Sequence, residues 1–204
     1  MIKIYHVLHA RSLRVVWLME ELGEPYELER VKFPPDTDYL KVNPMGTVPA
    51  IDDDGIRMAE SIAILQYITG RRLPEAFALT VGPKPDPAAY AAHLQFLHYG
   101  EAGLTAPLSV IFRTWLIAPE GQKANITTED QAGLFAKRLG LVAERLTDGR
   151  PYLMGEQFTI ADISVGYALG LAQFMGMGGV FPKSVADYAA RLQARPAFQR
   201  AITK

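Results

Sequence analysis

Cysteine is absent from this sequence of 204 residues. The chain can therefore form no disulfide, no thiolate metal site and no redox-active protein thiol, and any thiol that it handles must come from a ligand. An excess of charge of one sign is also missing, because 21 Lys and Arg residues stand against 22 Asp and Glu residues. No basic cluster exceeds a pair such as Arg71-Arg72, which argues against nucleic acid as the main partner.

Signals for export or membrane insertion are weak. Met1 leads almost directly into Ile2-Lys3-Ile4-Tyr5, without a basic segment and an apolar core, so we expect no secretory signal and a cytoplasmic protein. The run from Ile163 to Phe181 carries no charge and has the length of a membrane span. It contains clustered glycines near its end, such as Gly176 and Gly178, which indicate a helix stop and a turn. We therefore predict a buried core helix followed by a loop.

The N-terminal part of the chain has the pattern of alternating strands and helices. Its expected order is β-α-β-α-β-β-α, from a strand at Ile2–Val7 to a helix at Ser61–Gly70. Asp54-Gly55 is a favoured hairpin turn pair and joins the last two strands, and Ser12 is placed to cap the first helix. Two βα units followed by a hairpin and a helix form a thioredoxin-like α/β layout over residues 1–72.

Beyond residue 87 every segment favours helix. Several helix-breaking residues precede this helical region, so we predict a linker at residues 73–87. These breakers include Pro74, Gly82, Pro83 and Pro85. A long helix from Ala88 to about Trp115 should be interrupted near Gly103 and Pro107. With the later helices, this predicts an all-α domain at residues 88–204.

The segment Asn43–Ile51 combines turn residues with the start of a strand. Proline cannot donate to a sheet ladder, so Pro49 should lie at the beginning or the edge of a strand. A cis peptide costs least before proline, and a cis Val48-Pro49 bond would let the Val48 N–H and C=O groups face outward. An extended peptide can pair with such an edge through its main chain.

The segment Ala59-Glu60-Ser61 opens an apolar helix soon afterwards. Ser61 and the free N–H groups of the first helical turn form a site for an anion, and Glu60 can meet an ammonium group beside it. A strand edge for a peptide backbone, next to sites for a carboxylate and an amine, suggests a small zwitterionic peptide as the ligand.

The pattern NPMGTVPAI…AESIAILQYI resembles the glutathione-binding half of the glutathione S-transferases of the cytosolic, bacterial-like type. The resemblance implies that the residue before the cis-proline pairs with the cysteinyl backbone of glutathione, and that the Glu-Ser pair holds its γ-glutamyl end. The glutathione-binding residues it implies are Thr47, Val48, Pro49, Glu60 and Ser61. It also implies a homodimeric detoxification enzyme with glutathione as co-substrate and no metal.

A second segment, Tyr152–Ile163, resembles a folding element of the all-α domain in the same family. Within it, Thr159-x-x-Asp162 has the form of a capping box, with Phe158 and Ile163 placed for a hydrophobic staple. The resemblance therefore covers both halves of the chain.

In this family, a hydrogen-bond donor near the end of the first strand stabilises the glutathione thiolate, and it is Ser, Tyr or Cys according to class. Here Ala10 takes the place of the catalytic Ser and Arg11 that of the Cys. The donors that remain are the Ser12 hydroxyl, the N–H or guanidinium of Arg11, and the Tyr5 phenol. Each has a structural alternative, namely a helix cap, a solvated loop cation and a half-buried strand residue. We favour the Arg11-Ser12 turn, with Tyr5 second.

The first helix of the α-domain should face the electrophile pocket of the family. Tyr99, Leu104 and Phe112 are the candidate pocket residues, with packing in the helical core as the alternative. The histidines have no acidic or cysteine residues at the sequence separations typical of metal ligands, so no metal site is predicted.

The predicted reaction is conjugation of the glutathione thiolate to an apolar electrophile. A glutathione-dependent disulfide or peroxide reductase and a non-catalytic glutathione- or partner-binding module are the alternatives, and Ala10 gives weight to the last.

Overall fold

The computed structural model describes residues 1–71, 79–82, 84 and 86–204. The chain forms two compact units, one of Met1–Thr80 together with Ala194–Lys204, the other of Val81–Gln193. Much of the predicted linker at residues 73–87 lies outside the described residues. The division of the chain into domains at 1–72 and 88–204 therefore stays a prediction.

The first unit contains a four-stranded mixed sheet with helices, in the predicted order. Its elements are β1 (Ile2–His6), α1 (Leu13–Leu22), β2 (Tyr26–Arg30), α2 (Thr37–Val42), β3 (Ala50–Asp53), β4 (Ile56–Ala59) and α3 (Ser61–Arg71). The strand order is β2-β1-β3-β4, with β1 parallel to β2 and antiparallel to β3. The thioredoxin-like α/β prediction is confirmed.

The β3–β4 hairpin has the turn that its sequence predicts. Asp54 and Gly55 both have positive φ, of 53° and 94°, which is the backbone that a tight hairpin turn requires. The turn sets the register in which Asp53 pairs with Ile56 and Ala50 with Ala59. Ala59 therefore ends β4 beside the start of β3, and Glu60 and Ser61 follow at that end of the sheet.

The C-terminal segment packs on α1 within the first unit. Helix α9 (Pro196–Ala201) places the Phe198 ring 4.8 Å from the Trp17 ring in an edge-on contact. Arg195 binds both carboxylate oxygens of Glu21, at 2.7 and 2.8 Å. These contacts join residues far apart in sequence, and no local pattern predicts them.

Within the described residues, the regular elements of the second unit are all helices, as predicted. Its elements are α4 (Pro87–Tyr99), a π-helical segment (Gly100–Thr105), α5 (Ala106–Ile117), α6 (Ile126–Arg145), α7 (Ile160–Phe174), a 3₁₀ turn (Gly178–Val180) and α8 (Lys183–Gln193). The predicted interruption near Gly103 and Pro107 is confirmed by the π-helical segment. A Cβ at Gly100 would lie 2.3 Å from Ser164 Oγ, so this segment approaches α7 more closely than any side chain allows.

Helix α7 forms the centre of the second unit. Ile163, Val165 and Leu169 on it are completely buried. The helix stops at Phe174, and Gly176 follows with φ of 75°, so the predicted core helix and glycine stop are confirmed. No helix in the described ranges is long and apolar enough to cross a membrane.

Candidate active site

The segment between α2 and β3 is held in place by hydrogen bonds to one carbonyl group. The Thr47 carbonyl accepts from Asn43 Nδ2 at 2.7 Å and from the Tyr39 hydroxyl at 2.5 Å. Gly46, with φ of 64°, has the left-handed backbone that this tight turn requires. The Thr47 carbonyl already has two donors, so Thr47 offers a ligand its exposed side chain rather than its C=O group.

Val48 has the free main chain that the sequence predicts. The Val48-Pro49 peptide is cis, and β3 begins only at Ala50. In the described part of the chain, neither the N–H nor the C=O group of Val48 makes a hydrogen bond. Its half-buried side chain packs on Tyr5, Tyr39 and Ala50, which leaves the backbone as the part of the residue available to a ligand.

Glu60 has an unusual backbone for a residue with a side chain. Its φ is 72°, in the left-handed region, and its side chain is exposed. Its carbonyl accepts the first bond of α3, from Ile64 N at 2.9 Å. Conformations of this kind cost on the order of 1 kcal/mol or more, and they cluster at ligand-binding sites. Here the turn places Glu60 directly before the first residue of α3, with its side chain exposed to solvent.

Ser61 is the first residue of α3 and is only 4% exposed. Its Oγ accepts a hydrogen bond of 3.1 Å from Arg14 Nη1, and Arg14 is completely buried. The first N–H groups of α3 have no partner inside the helix. This end of the first unit therefore has several donors for an anion.

The turn between β1 and α1 holds Ser12 away from solvent. Ser12 is completely buried, and its Oγ lies 2.9 Å from His6 Nδ1 and 3.2 Å from Val7 N, which donates to it. The residue occupies the N-cap position, but its hydroxyl bonds to no N–H group of α1. The prediction that the Ser12 side chain caps α1 is therefore wrong, because the nearby end of β1 supplies partners that the sequence does not show.

The other candidate thiol donors differ in accessibility. Tyr5 is 6% exposed, its ring lies 5.5 Å from that of Tyr39, and burial raises the pKa of its phenol. This environment favours a packed strand residue. Arg11 is half-buried, so it is the most accessible of the three predicted donors.

The comparisons with known proteins match both halves of the chain. The family model described as glutathione S-transferase, N-terminal domain, matches residues 10–71, and that for the C-terminal domain matches residues 125–200. The glutathione S-transferase-like protein OpS6 of Beauveria bassiana is 30% identical over 80% of this chain and 75% of its own length. The chain belongs to the glutathione S-transferase family.

Further relatives of this glutathione S-transferase family member match over nearly the full length. Glutathione S-transferase 3 of Schizosaccharomyces pombe is 27% identical over 100% of the chain and 88% of its own length. The solved structure of a glutathione transferase family member from Pseudomonas fluorescens, with two glutathione bound, is 27% identical with a TM-score of 0.81. The match covers 98% of this chain and 92% of that one. The fold predicted from the resemblance is confirmed.

The helical unit of this glutathione S-transferase family member uses two of the predicted pocket residues in its own packing. The Tyr99 hydroxyl donates to the Arg138 carbonyl at 2.8 Å, and Arg138 Nη1 donates to the Gly103 carbonyl at 2.9 Å. Leu104 is completely buried. Both observations favour the packing alternative for these two residues, whereas Phe112 is half-buried. The role of all three in binding a second substrate stays a prediction.

Two features of the site could not be read from the sequence. No local pattern indicates that Arg14 reaches Ser61 across the fold. No local pattern indicates that the His6 ring is the partner of the Ser12 hydroxyl. Among the described residues, no group of three His, Asp or Glu side chains could hold a metal ion.

Proposed function

We propose that this family member is a glutathione transferase, which binds glutathione on its first unit and conjugates the thiolate to an apolar electrophile as a homodimer. The observation that carries the proposal is the free main chain of Val48, which is held in place beside β3. A backbone with an unused N–H and an unused C=O group pairs with an extended peptide, and glutathione is such a peptide.

The rest of the ligand fits the groups around Val48. Its cysteinyl backbone pairs with Val48, with Pro49 and the Thr47 side chain beside it. Its γ-glutamyl ammonium meets the Glu60 carboxylate, and its γ-glutamyl carboxylate meets Ser61 and the α3 N-terminus. The charges of the site and of the ligand are complementary at each of these positions.

Thiol activation is assigned to the Arg11-Ser12 turn, with Tyr5 second. A donor to the sulfur favours the thiolate, and a nearby cation adds to the effect. Ser12 is buried, so its contribution is to hold the turn through Val7 and His6. The N–H or guanidinium group of Arg11 then contacts the sulfur. Holding a thiolate and an electrophile together supplies the remaining rate gain.

Glu60→Gln is expected to weaken glutathione binding about tenfold, because it removes the charge from a hydrogen bond to an ammonium group. Isothermal titration calorimetry measures the dissociation constant. Glu27→Gln is the matched control, since Glu27 is an exposed acid on β2 of the same unit, and it should leave binding unchanged. Absence of glutathione binding by the unmodified protein would overturn the proposed function.

Arg11→Ala is expected to raise the pKa of the bound glutathione thiol by about one pH unit, because it removes a cation near the sulfur. Ser12→Ala should also raise the pKa of the bound thiol, through loss of the turn geometry, while glutathione still binds. The thiolate absorbance of the complex with glutathione, followed across pH, measures this pKa. An unchanged profile in Ser12→Ala removes Ser12 from the mechanism, and Lys32→Ala on the same unit is the control for charge alone.

A non-catalytic glutathione-binding module is the second candidate function. The observation that favours it is Ala10, which stands where serine-type members of the family carry the catalytic hydroxyl. Turnover of a chlorinated aromatic electrophile supports the transferase, and turnover of a disulfide or a peroxide instead supports a reductase. Glutathione binding without turnover of any of these substrates supports the module.

A further inference from the structure

We propose that Arg14 is a positioning residue, which acts through Ser61 to orient a hydroxyl donor toward the γ-glutamyl carboxylate of bound glutathione. The inference rests on the proposed function, and it adds a buried residue that touches no ligand itself. Arg14 lies in the first turn of α1 and is 0% exposed. Its side chain crosses from α1 to the start of α3, where Nη1 lies 3.1 Å from Ser61 Oγ.

The direction of this hydrogen bond is fixed by the chemistry of the two groups. A guanidinium group has only N–H donors, so Ser61 Oγ must be the acceptor. The hydroxyl proton of Ser61 therefore cannot be used in the bond with Arg14 and needs a different acceptor. In the described ranges, Ser61 Oγ makes no hydrogen bond except the one from Arg14. A buried hydroxyl proton without an acceptor costs free energy, so we infer that a ligand supplies the acceptor.

The acceptor that fits is an anion. The α3 helix begins at Ser61, so the free N–H groups of its first turn lie at the same end of the helix as the Ser61 hydroxyl. A carboxylate accepts from both kinds of donor at once. Arg14 has further interactions besides Ser61, and the argument depends only on its donating to Ser61 Oγ.

Arg14 also links the two ends of the proposed glutathione site. Its backbone N–H donates to the Arg11 carbonyl at 3.2 Å, so it belongs to the turn assigned to thiol activation. Its side chain reaches the residue assigned to the carboxylate. One buried residue therefore fixes the distance between the sulfur end and the γ-glutamyl end of the ligand, which a mobile surface residue could not do.

The test compares two ligands that differ only at the γ-glutamyl carboxylate. These are glutathione and 4-aminobutanoyl-cysteinyl-glycine, in which that carboxylate is replaced by hydrogen. Arg14→Gln should weaken the binding of glutathione tenfold to a hundredfold, because the Ser61 hydroxyl is no longer held as an outward donor. Binding of the analogue, measured by the same calorimetry, should change less than about twofold.

Ser61→Ala and the double variant complete the cycle. Ser61→Ala should discriminate between the two ligands in the same way, and the double variant should lose no more than the stronger single variant, because both changes remove one donor. Arg57→Gln, at an exposed arginine of β4, is the matched control and should leave both dissociation constants unchanged. Circular dichroism and thermal unfolding verify that each variant is folded.

The outcomes separate this inference from the proposed function. Equal losses for the two ligands in Arg14→Gln, or additive losses in the double variant, would overturn the positioning role and leave glutathione binding intact. If Arg14→Gln does not fold, Arg14→Lys carries the test, and it should show a smaller loss that is again confined to glutathione. Failure of the unmodified protein to bind glutathione would instead overturn the proposed function.

Discussion

Replacing Asp162 by alanine is expected to lower the free energy of unfolding by about 4 kcal/mol. The carboxylate is completely buried and accepts from the backbone N–H groups of Leu153, at 2.9 Å, and Thr159, at 2.8 Å. It also accepts from the Thr159 and Tyr188 hydroxyls, at 3.1 and 2.8 Å. Alanine would leave these donors buried without a partner, at a cost of about 1–3 kcal/mol each before relaxation.

The chain offers a matched control for this variant. Asn125 forms the other capping box, at the start of α6, and accepts from Thr127 N and Thr128 N at 3.0 and 3.1 Å. The donor of one of these bonds is exposed, so water can replace the lost acceptor there. Asn125→Ala should therefore cost only about 1 kcal/mol. Urea unfolding measures both values.

The losses in free energy of unfolding of the two variants show whether Asp162 does more than cap its helix. Equal losses for Asp162→Ala and Asn125→Ala would mean that Asp162 acts only as a helix cap, against the prediction. Tyr188→Phe provides an internal measure, because it removes one donor to Asp162 without creating a large cavity. It should cost about 1 kcal/mol, well below the loss in Asp162→Ala.

Lowering the pH from 6.5 to 4 is expected to destabilise each unit of the protein by about 3 kcal/mol through one buried histidine. Burial lowers the pKa of His6 to about 4, helped by the nearby charges of Arg30 and His9. Burial alone lowers the pKa of His93 to about 4. His6 belongs to the first unit and His93 to the second, so each unit has its own buried histidine.

The sign follows from the protons that each state binds. Between pH 6.5 and 4 the unfolded chain takes up a proton at each of these histidines, whereas the folded chain keeps them mostly neutral until the pH approaches 4. Stability is therefore fully present above pH 6.5 and is lost as the pH falls toward 4. In the described part of the chain, His6 Nε2 and His93 Nδ1 have no hydrogen-bond partner, so a proton added at either nitrogen finds no acceptor in the fold.

Difference curves isolate the histidine contribution from that of the carboxylates. Urea unfolding of the unmodified protein and of His93→Leu, measured at several pH values, should diverge in pH dependence between pH 6.5 and 4. The exposed His98 provides the control, since His98→Gln should run parallel to the unmodified protein. A His93→Leu curve that is also parallel would show that His93 binds protons equally in the folded and unfolded states, and the prediction would fail.

Local sequence determined the elements and the loops of the proposed glutathione site. The Asp54-Gly55 turn, the Thr159–Asp162 capping box and the break near Gly103 each depend on neighbours within a few residues, and all three are found where they were predicted. The same holds for the cis bond between Val48 and Pro49. Backbone preferences act over such short spans, so these features can be predicted from the sequence alone.

Tertiary structure alone decided which polar groups meet. Arg14 bonds to Ser61, which is 47 positions away in sequence, and Arg195 bonds to Glu21, which is 174 positions away. The hydroxyl of Ser12 contacts His6 and does not cap its own helix, because the end of β1 lies beside it in the folded chain. A buried polar group takes whichever partner the packed chain brings near, and that choice is absent from any local pattern.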